Sequence, residues 1–246
     1  MQKRKSSKID KVYAKHIAEL QDFEFSTQVA NVFPDMLQRS IPGYSFTLDL
    51  IELISRQFAK PNTNVYDLGC SLGATIEQIY KCLPKTCQII GVENSSAMVK
   101  QCKTNIEPVN RQSNIVIRHE DLRDTKIENA SVVVMNLTLQ FIPVKDRDSV
   151  LKKIANGLIE GGVLILCEKV NFDDAYEQSM LNNLYVEFKR AQGYSELEIV
   201  QKRAALENVL IPDTISELKK RAKRSGFTKA QLISQCLNFV GLIAVK

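Results

Sequence analysis

The chain contains no tryptophan and only two histidines, His16 and His119, far apart in its 246 residues. With so little imidazole, neither a histidine-built zinc site nor a Ser-His-Asp triad has the side chains it needs. The six cysteines, at 70, 82, 87, 102, 167 and 236, form no C-x-x-C pair and have no neighbouring histidine. Several fall inside apolar runs, as Cys167 does in Val163-Leu-Ile-Leu-Cys167, the pattern of buried, reduced thiols in the cytoplasm. No metal is expected. An apolar run of roughly eighteen residues is also missing, so no membrane-spanning helix is expected. The N-terminus, Met1-Gln-Lys-Arg-Lys-Ser-Ser, lacks the apolar stretch of a secretory signal. No internal repeat or low-complexity segment stands out.

Charge of one sign is scarce as well, once its location is considered. The net charge is +5, and residues 1–15 carry Lys3, Arg4, Lys5, Lys8, Lys11 and Lys15 against Asp10 alone. That accounts for the whole excess, and the remaining chain is balanced. A nucleic-acid binder normally carries its footprint on the folded domain, so stable nucleic-acid binding is not expected. The cluster Lys219, Lys220, Arg221, Lys223, Arg224 reads instead as a solvated helix face near a helix C-terminus. What the chain does have is core material: 44% of its residues are apolar, which excludes disorder throughout.

Residues 1–24 read as a basic flexible tail, with 1–15 dispensable, and residues 25–246 as one α/β domain. Within it, 25–60 should be N-terminal helices: one over 28–39, broken or restarted at Pro34, and one over 43–59, where Leu50, Ile51, Ile54 and Phe58 share a face. Over 61–170 the pattern alternates. Strands are expected at Asn64–Leu68, Gln88–Val92, Ile115–Ile117, Ser131–Met135 and from Gly161-Gly162 to Cys167. Helices are expected up to about residue 82, over Ser96–Ile106 and over Asp148–Leu158. Such alternation means a parallel sheet covered on both faces. Residues 171–225 read as wholly helical, with breaks near Gly193 and Pro212. Gln231–Leu237 and Val240–Val245, within 226–246, should form an antiparallel hairpin. The fold class is thus α/β and Rossmann-like, mostly parallel, ending in an antiparallel hairpin, with N-terminal helices and a helical insertion.

Asp67-Leu-Gly69-Cys70-Ser71-Leu-Gly73 joins the first strand to the first core helix. Glycines there allow a tight turn and a close ligand approach, and the helix offers free N–H groups. The spacing is one residue short of G-x-G-x-x-G, so a ligand without a pyrophosphate fits better than NAD. Glu93 closes the second strand, where a carboxylate can hold both ribose hydroxyls. Asp121 follows the third strand, placed to accept from an adenine amino group, and Asn136 ends the fourth. All four strand ends face the crevice in which such folds bind ligands. Plainer readings exist for each: a simple β–α turn, a helix-capping Glu93, a turn-favoured Asn136 and a packing Cys70. Their common location at strand ends points to a ligand.

These residues resemble the class I S-adenosylmethionine-dependent methyltransferase domain, whose sheet ends in such a hairpin. More closely, the chain resembles the carboxy-S-adenosyl-L-methionine synthase family from about Phe25 to the C-terminus. The matching stretches include Arg39-Ser-Ile-Pro-Gly-Tyr44, Tyr66-Asp-Leu-Gly-Cys-Ser-Leu-Gly-Ala74, Gly193-Tyr-Ser-Glu-Leu-Glu198 and Gln201-Lys-Arg203. The resemblance implies that S-adenosylmethionine and prephenate give carboxy-S-adenosylmethionine and phenylpyruvate. Its product would be passed to a tRNA carboxymethyltransferase for wobble uridine modification. It also implies a cytoplasmic homodimer, with segment 172–210 at the interface. By position it assigns Tyr44, Gly69, Cys70, Ser71 and Glu93 to the sulfonium nucleoside. Asn94, Asp121, Leu122, Asn136 and Arg203 join them. The family has Asp where this chain has Glu93, and glutamate can make the same bidentate contact.

The family mechanism deprotonates the methyl group on sulfur, and the resulting ylide captures carbon dioxide released from prephenate. That chemistry asks for a dry pocket and a cation for the new carboxylate, and the chain offers no obvious general base. Arg203 is the expected catalytic residue, because a guanidinium pairs bidentately with carboxylate. From the residues alone it reads as a surface arginine paired with Glu198 or Glu207. Tyr44 and Tyr194 are expected phenol donors near the cleft. The competing readings are a methyltransferase acting on a small molecule or tRNA, and a non-catalytic adenosylmethionine-binding subunit.

Overall fold

The computed structural model describes residues 8–110 and 114–246. Ser26 caps α1 (Thr27–Ala30), and Pro34 lies in the first turn of α2 (Phe33–Ser40), where its missing N–H has no partner to lose. The proline therefore restarts the 28–39 helix. Gly43, at φ 75°, turns the chain into α3 (Tyr44–Phe58). The alternating region follows as β1 (Asn64–Leu68), α4 (Ala74–Ile79), β2 (Gln88–Glu93), α5 (Ser96–Ile106), β3 (Ile115–His119), β4 (Ala130–Asn136), α6 (Val144–Gly157) and β5 (Leu158–Lys169). The chain ends with α7 (Ala175–Ala191), α8 (Glu196–Leu206), α9 (Ile215–Arg224), β6 (Lys229–Cys236) and β7 (Phe239–Val245).

The seven strands form one sheet in the order β3-β2-β1-β4-β5-β7-β6. β1 to β5 run parallel, β7 is antiparallel to β5, and β6 pairs antiparallel with β7. The central strands are buried on both faces, which is why β4 reads Ala-Ser-Val-Val-Val-Met without alternation. On one face Leu151 and Ile154 of α6 pack with Leu218 and Ala222 of α9. On the other, Ile51 of α3 packs with Ile76 of α4 and Cys102 of α5. The strand order reverses direction beside β1, opening a crevice at the carboxyl ends of β1 and β4.

Several boundaries differ from expectation. α6 starts at Val144, directly after Pro143, and runs without a loop into β5 at Leu158. The break expected around Pro212 spans residues 207–214, and α9 beyond it belongs to the layer covering the sheet. Arg147 pins this interruption: it pairs with Asp213 at 2.9 Å and donates to the Ile211 and Gln140 carbonyls. The basic cluster on α9 is only partly solvated. Arg221 is buried, bonded to Asp148 and Asp213, while Arg224 pairs with Asp148 and Glu217.

The flexible tail expected over 1–24 is corrected for residues 8–24; Lys3, Arg4 and Lys5 lie outside the described residues. Tyr13 and Phe23 are buried against Met36, Leu72 and Ala205. Gln201 of α8 donates to the Tyr13 and Lys15 carbonyls and accepts from the Ile17 amide. Asp10 is 2% exposed. Its Oδ2 accepts from the Tyr194 hydroxyl at 2.6 Å and lies 3.7 Å from Lys202 Nζ. The residue that looked like a stray acid in a basic tail is thus the counter-charge of a buried lysine. Removing one partner of a buried pair costs about 3–5 kcal/mol. Asp10→Ala should fall near the low end, about 3 kcal/mol, because Lys202 can shed its proton. An unchanged urea midpoint for Asp10→Ala would restore the dispensable tail.

Candidate active site

The carboxyl ends of β1, β2 and β4 meet a cavity of about 1150 Å³. Single small-ligand pockets occupy about 300–1,000 Å³, so this one has room for two molecules. The first loop after β1 forms its floor. Gly69 and Gly73 take φ of 80° and 87°, and Ser71 sits at 49°. At Gly69 a Cβ would stand 2.5 Å from Thr138 Oγ1, so only glycine lets this loop cross the end of β4. Ser71 N donates to Glu93 Oε2 at 3.0 Å, and Ser95 N donates to Oε1 at 2.8 Å. Glu93 therefore ties the glycine loop to the start of α5, whose cap is Ser95 and not Glu93. Burial raises the Glu93 carboxyl above the ordinary glutamate value, against these N–H bonds.

Asp67 lies beneath. Both its carboxylate oxygens are buried without a hydrogen-bond partner, and burial, aided by the Glu93 charge, pushes its carboxyl from 3.8 up to about 8. The Asn136 side-chain oxygen is also buried without a partner, at the cavity wall. Asp121 lies on the far side, held by a fork of bonds from Arg123, which keeps its carboxyl below the usual aspartate value. Acceptors thus gather along the carboxyl ends of β1 to β4. Orphaned buried acceptors fit a cationic ligand that carries its own N–H and O–H donors.

The structure brings nine of the ten expected positions to the cavity wall. Tyr44 reaches it from the start of α3. Gly69, Cys70 and Ser71 come from the first loop, and Glu93 and Asn94 from the end of β2. Asp121, Leu122 and Asn136 follow from the later strand ends. Cys70 packs against Cys102 with its thiol pushed up, which suits a packing role. Arg203 is the exception. It is exposed on α8, and it pairs with neither Glu198 nor Glu207. The preceding residue, Lys202, faces the cavity, because successive helix positions turn by about 100°. Tyr194 does not line the cavity either; its hydroxyl serves Asp10.

Other cavity residues escaped the sequence reading. Lys169, at the end of β5, and Tyr185, on α7, line the wall beside Lys202. Glu168 is 2% exposed, and its carboxylate accepts from the Thr138, Leu139 and Gln140 amides. Burial pushes its carboxyl up to about 8 in spite of those bonds. In the sequence Glu168 is one charge at the end of an apolar strand, and only the curled 138–140 turn gives it a task.

The strand order, the glycine loop and the acidic residue closing β2 define a class I S-adenosylmethionine-dependent methyltransferase fold, and the chain is an S-adenosylmethionine-dependent transferase. A methyltransferase-domain family model matches residues 65–162. A putative O-methyltransferase from Nostoc punctiforme superposes with a TM-score of 0.63 at 15% identity, covering 89% of this chain and 59% of that one. Magnesium protoporphyrin IX methyltransferase from Synechocystis, solved with bound SAH, gives 0.58 at 16% identity, covering 83% of each chain. Sequence relatives narrow the class. Carboxy-S-adenosyl-L-methionine synthase from Shewanella sp. (strain ANA-3) is 48% identical over 96% of this chain and 98% of its own length. The enzyme of that name from Klebsiella pneumoniae (strain 342) is 45% identical over 96% of both. The chain belongs to the carboxy-S-adenosyl-L-methionine synthase family.

Asp67 gives this site a pH signature. A carboxyl whose folded pKa lies above its unfolded value stabilises fully below the unfolded value and loses that contribution as pH rises through the folded one. Without ligand, urea stability should carry a falling contribution between pH 3.8 and about 8, which Asp67→Asn removes. A bound sulfonium should lower the Asp67 and Glu93 values and release protons. Calorimetry of adenosylmethionine binding at neutral pH in two buffers of different ionisation enthalpy checks this. A buffer-independent enthalpy would detach Asp67 from the site.

Proposed function

We propose that this chain converts S-adenosylmethionine and prephenate to carboxy-S-adenosylmethionine and phenylpyruvate. What carries this reading is the polarity of one cavity large enough for two molecules. Glu93 and Asp121 stand on the β2–β3 side, Lys169 and Lys202 on the β5 side, with Asn136 of β4 between them. A cationic nucleoside suits the first side and a dianionic co-substrate the second. Glu93 and Asp121 would hold the ribose and the adenine, and the Gly69–Ser71 loop would let the ligand approach the backbone. Tyr44 and Leu122 line the same cavity.

The overall change moves one carbon dioxide. The bond from the prephenate ring to its carboxyl carbon breaks, and the ring hydroxyl leaves with a proton from the S-methyl group, as water. A new bond then joins that methyl carbon to the carboxyl carbon. No side chain need act as nucleophile or base, so the residues bind, orient and exclude water. Arg203 is the proposed cation for the new carboxylate. It makes no ion pair among the described residues, and its charge is felt by Lys169 at the cavity wall.

The product would serve a tRNA carboxymethyltransferase, with no stable nucleic-acid contact by this chain itself; the ion pairs of Arg221 and Arg224 in the α9 cluster support that. Among the described residues no helix is long and apolar enough to cross a membrane. Six free cysteines support a reducing compartment, the cytoplasm. A homodimer is supported by Tyr176, Met180 and Leu184, exposed at four-residue spacing on α7, beside exposed Leu197 and Val200 on α8.

Incubation with prephenate and adenosylmethionine should yield a nucleoside heavier by one carbon dioxide, read by mass spectrometry. Arg203→Ala should weaken the carboxylated ligand by about 1.5–3 kcal/mol while sparing adenosylmethionine. Arg203→Lys should recover only part, since an ammonium lacks the fork. Equal weakening of both ligands would make Arg203 a general nucleoside contact. Methylation of an added acceptor, with prephenate ignored, would favour an ordinary methyltransferase.

A further inference from the structure

Four cations gather where β5, α7 and α8 meet, and two of them, Lys169 and Lys202, line the cavity. Lys169 leaves the end of β5, Lys189 stands one turn after Tyr185 on α7, and Lys202 and Arg203 follow each other on α8. The Lys189 ammonium lies 4.5 Å from the Tyr185 ring centroid and that of Lys169 lies 5.2 Å from it. Phe239 meets the same ring edge-on at 5.4 Å, and both aromatics line the cavity. Lys189 is 8% exposed. Among the described residues, no carboxylate or carbonyl lies within hydrogen-bond distance of the Lys169 or Lys189 ammonium.

Their surroundings make this costly. Lys189 feels Lys169, Lys202 and Arg203 against Glu196 alone, and Glu196 is itself tied to Arg190. Asp10 stands at Lys202 and is bonded to Tyr194, so it serves neither of the other two. Burial and these neighbours push the Lys189 ammonium down to about 8, and burial with Arg203 lowers Lys169. Like charges held together without an acceptor are stabilised by an anion placed between them. The aromatic wall adds a requirement: the anion should be attached to a flat or unsaturated ring.

We propose that Lys169 and Lys189, against the Tyr185–Phe239 wall, bind the surviving carboxylate of a ring-bearing dicarboxylate, the one on its 2-oxo-acid arm. This rests on the synthase reading, for which the dicarboxylate is prephenate. The choice between the two carboxylates follows from transition-state logic. The ring carboxylate loses its negative charge as carbon dioxide departs, so an ammonium paired with it would favour the ground state and slow the reaction. The 2-oxo-acid carboxylate keeps its charge throughout. Cations there bind substrate and transition state alike, anchoring the molecule while the other end reacts. Arg203 remains for the carboxylate that forms.

Phenylpyruvate is the direct probe, because it carries the ring and the 2-oxo-acid arm and lacks the ring carboxylate. Its binding is titrated calorimetrically on the wild-type chain, Lys169→Gln and Lys189→Gln. Each substitution should weaken phenylpyruvate by about tenfold or more, the loss of one charged hydrogen bond. Adenosylmethionine affinity should hold, and Lys169→Arg and Lys189→Arg should keep most of the phenylpyruvate affinity. Lys189→Gln should not lower the melting temperature, since it relieves repulsion; a merely structural lysine would. In turnover, both Gln variants should raise the KM for prephenate more than they lower kcat.

Undetectable phenylpyruvate binding by the wild-type chain, or equal affinities across the variants, would overturn the subsite. So would parallel loss of adenosylmethionine binding. A wild-type chain that ignores prephenate would sink the synthase reading, while the phenylpyruvate titration still decides the subsite by itself.

Discussion

The carboxylate of Glu168 sits at the meeting point of the sheet and the cavity, accepting three successive backbone amides from Thr138, Leu139 and Gln140. Those amides belong to a turn that β4 cannot supply with ladder partners, and a buried N–H without an acceptor is costly. With Glu168 in place the turn curls back over the sheet. Thr138 then bonds the Leu68 carbonyl and closes against Gly69. Gln140 receives Arg147 through its carbonyl and holds the Lys169 amide through its side chain. Asn136, the glycine loop and Lys169 are all positioned from this one anion. That explains a buried acid in the strand next to the chemistry without giving it a chemical step.

A second constraint is electrostatic. The acceptor end of the cavity is built at strand termini of the parallel sheet, where loops and helix starts converge by topology. The cationic end is built from β5, α7 and α8, elements that the sheet does not require. The N-terminal segment belongs to this second half. Asp10 reaches Tyr194 and Lys202 from more than a hundred residues away in sequence, and Arg39 stacks 4.0 Å from the Tyr194 ring while donating to the Asp10 carbonyl. Segments outside the sheet thus give the cavity its polarity and close it.

Local chemistry determined much of this protein from the sequence alone. Apolar runs without alternation required a doubly covered parallel sheet, and the glycines at 69 and 73 required a left-handed turn before a helix. Acids at 93 and 121 fell at strand ends, so the acidic side of the cavity was legible position by position. Element edges were less so: α6 runs straight into β5 because Gly157 crosses Ile127 with no room for a side chain, a contact thirty residues distant.

Tertiary structure decided the rest, because the remaining choices depend on which charges meet. Lys169, Lys189 and Lys202 lie apart in the sequence, and only the docking of α7 and α8 against the end of β5 gathers them. On α8 the helical turn decides that Lys202 faces the cavity while Arg203 does not, a difference of one residue that no composition reveals. Asp10 reads as a lone acid in a basic tail until folding buries it beside an ammonium. Periodicity reports the face a residue buries; the cost of burying a charge is set by partners distant in sequence.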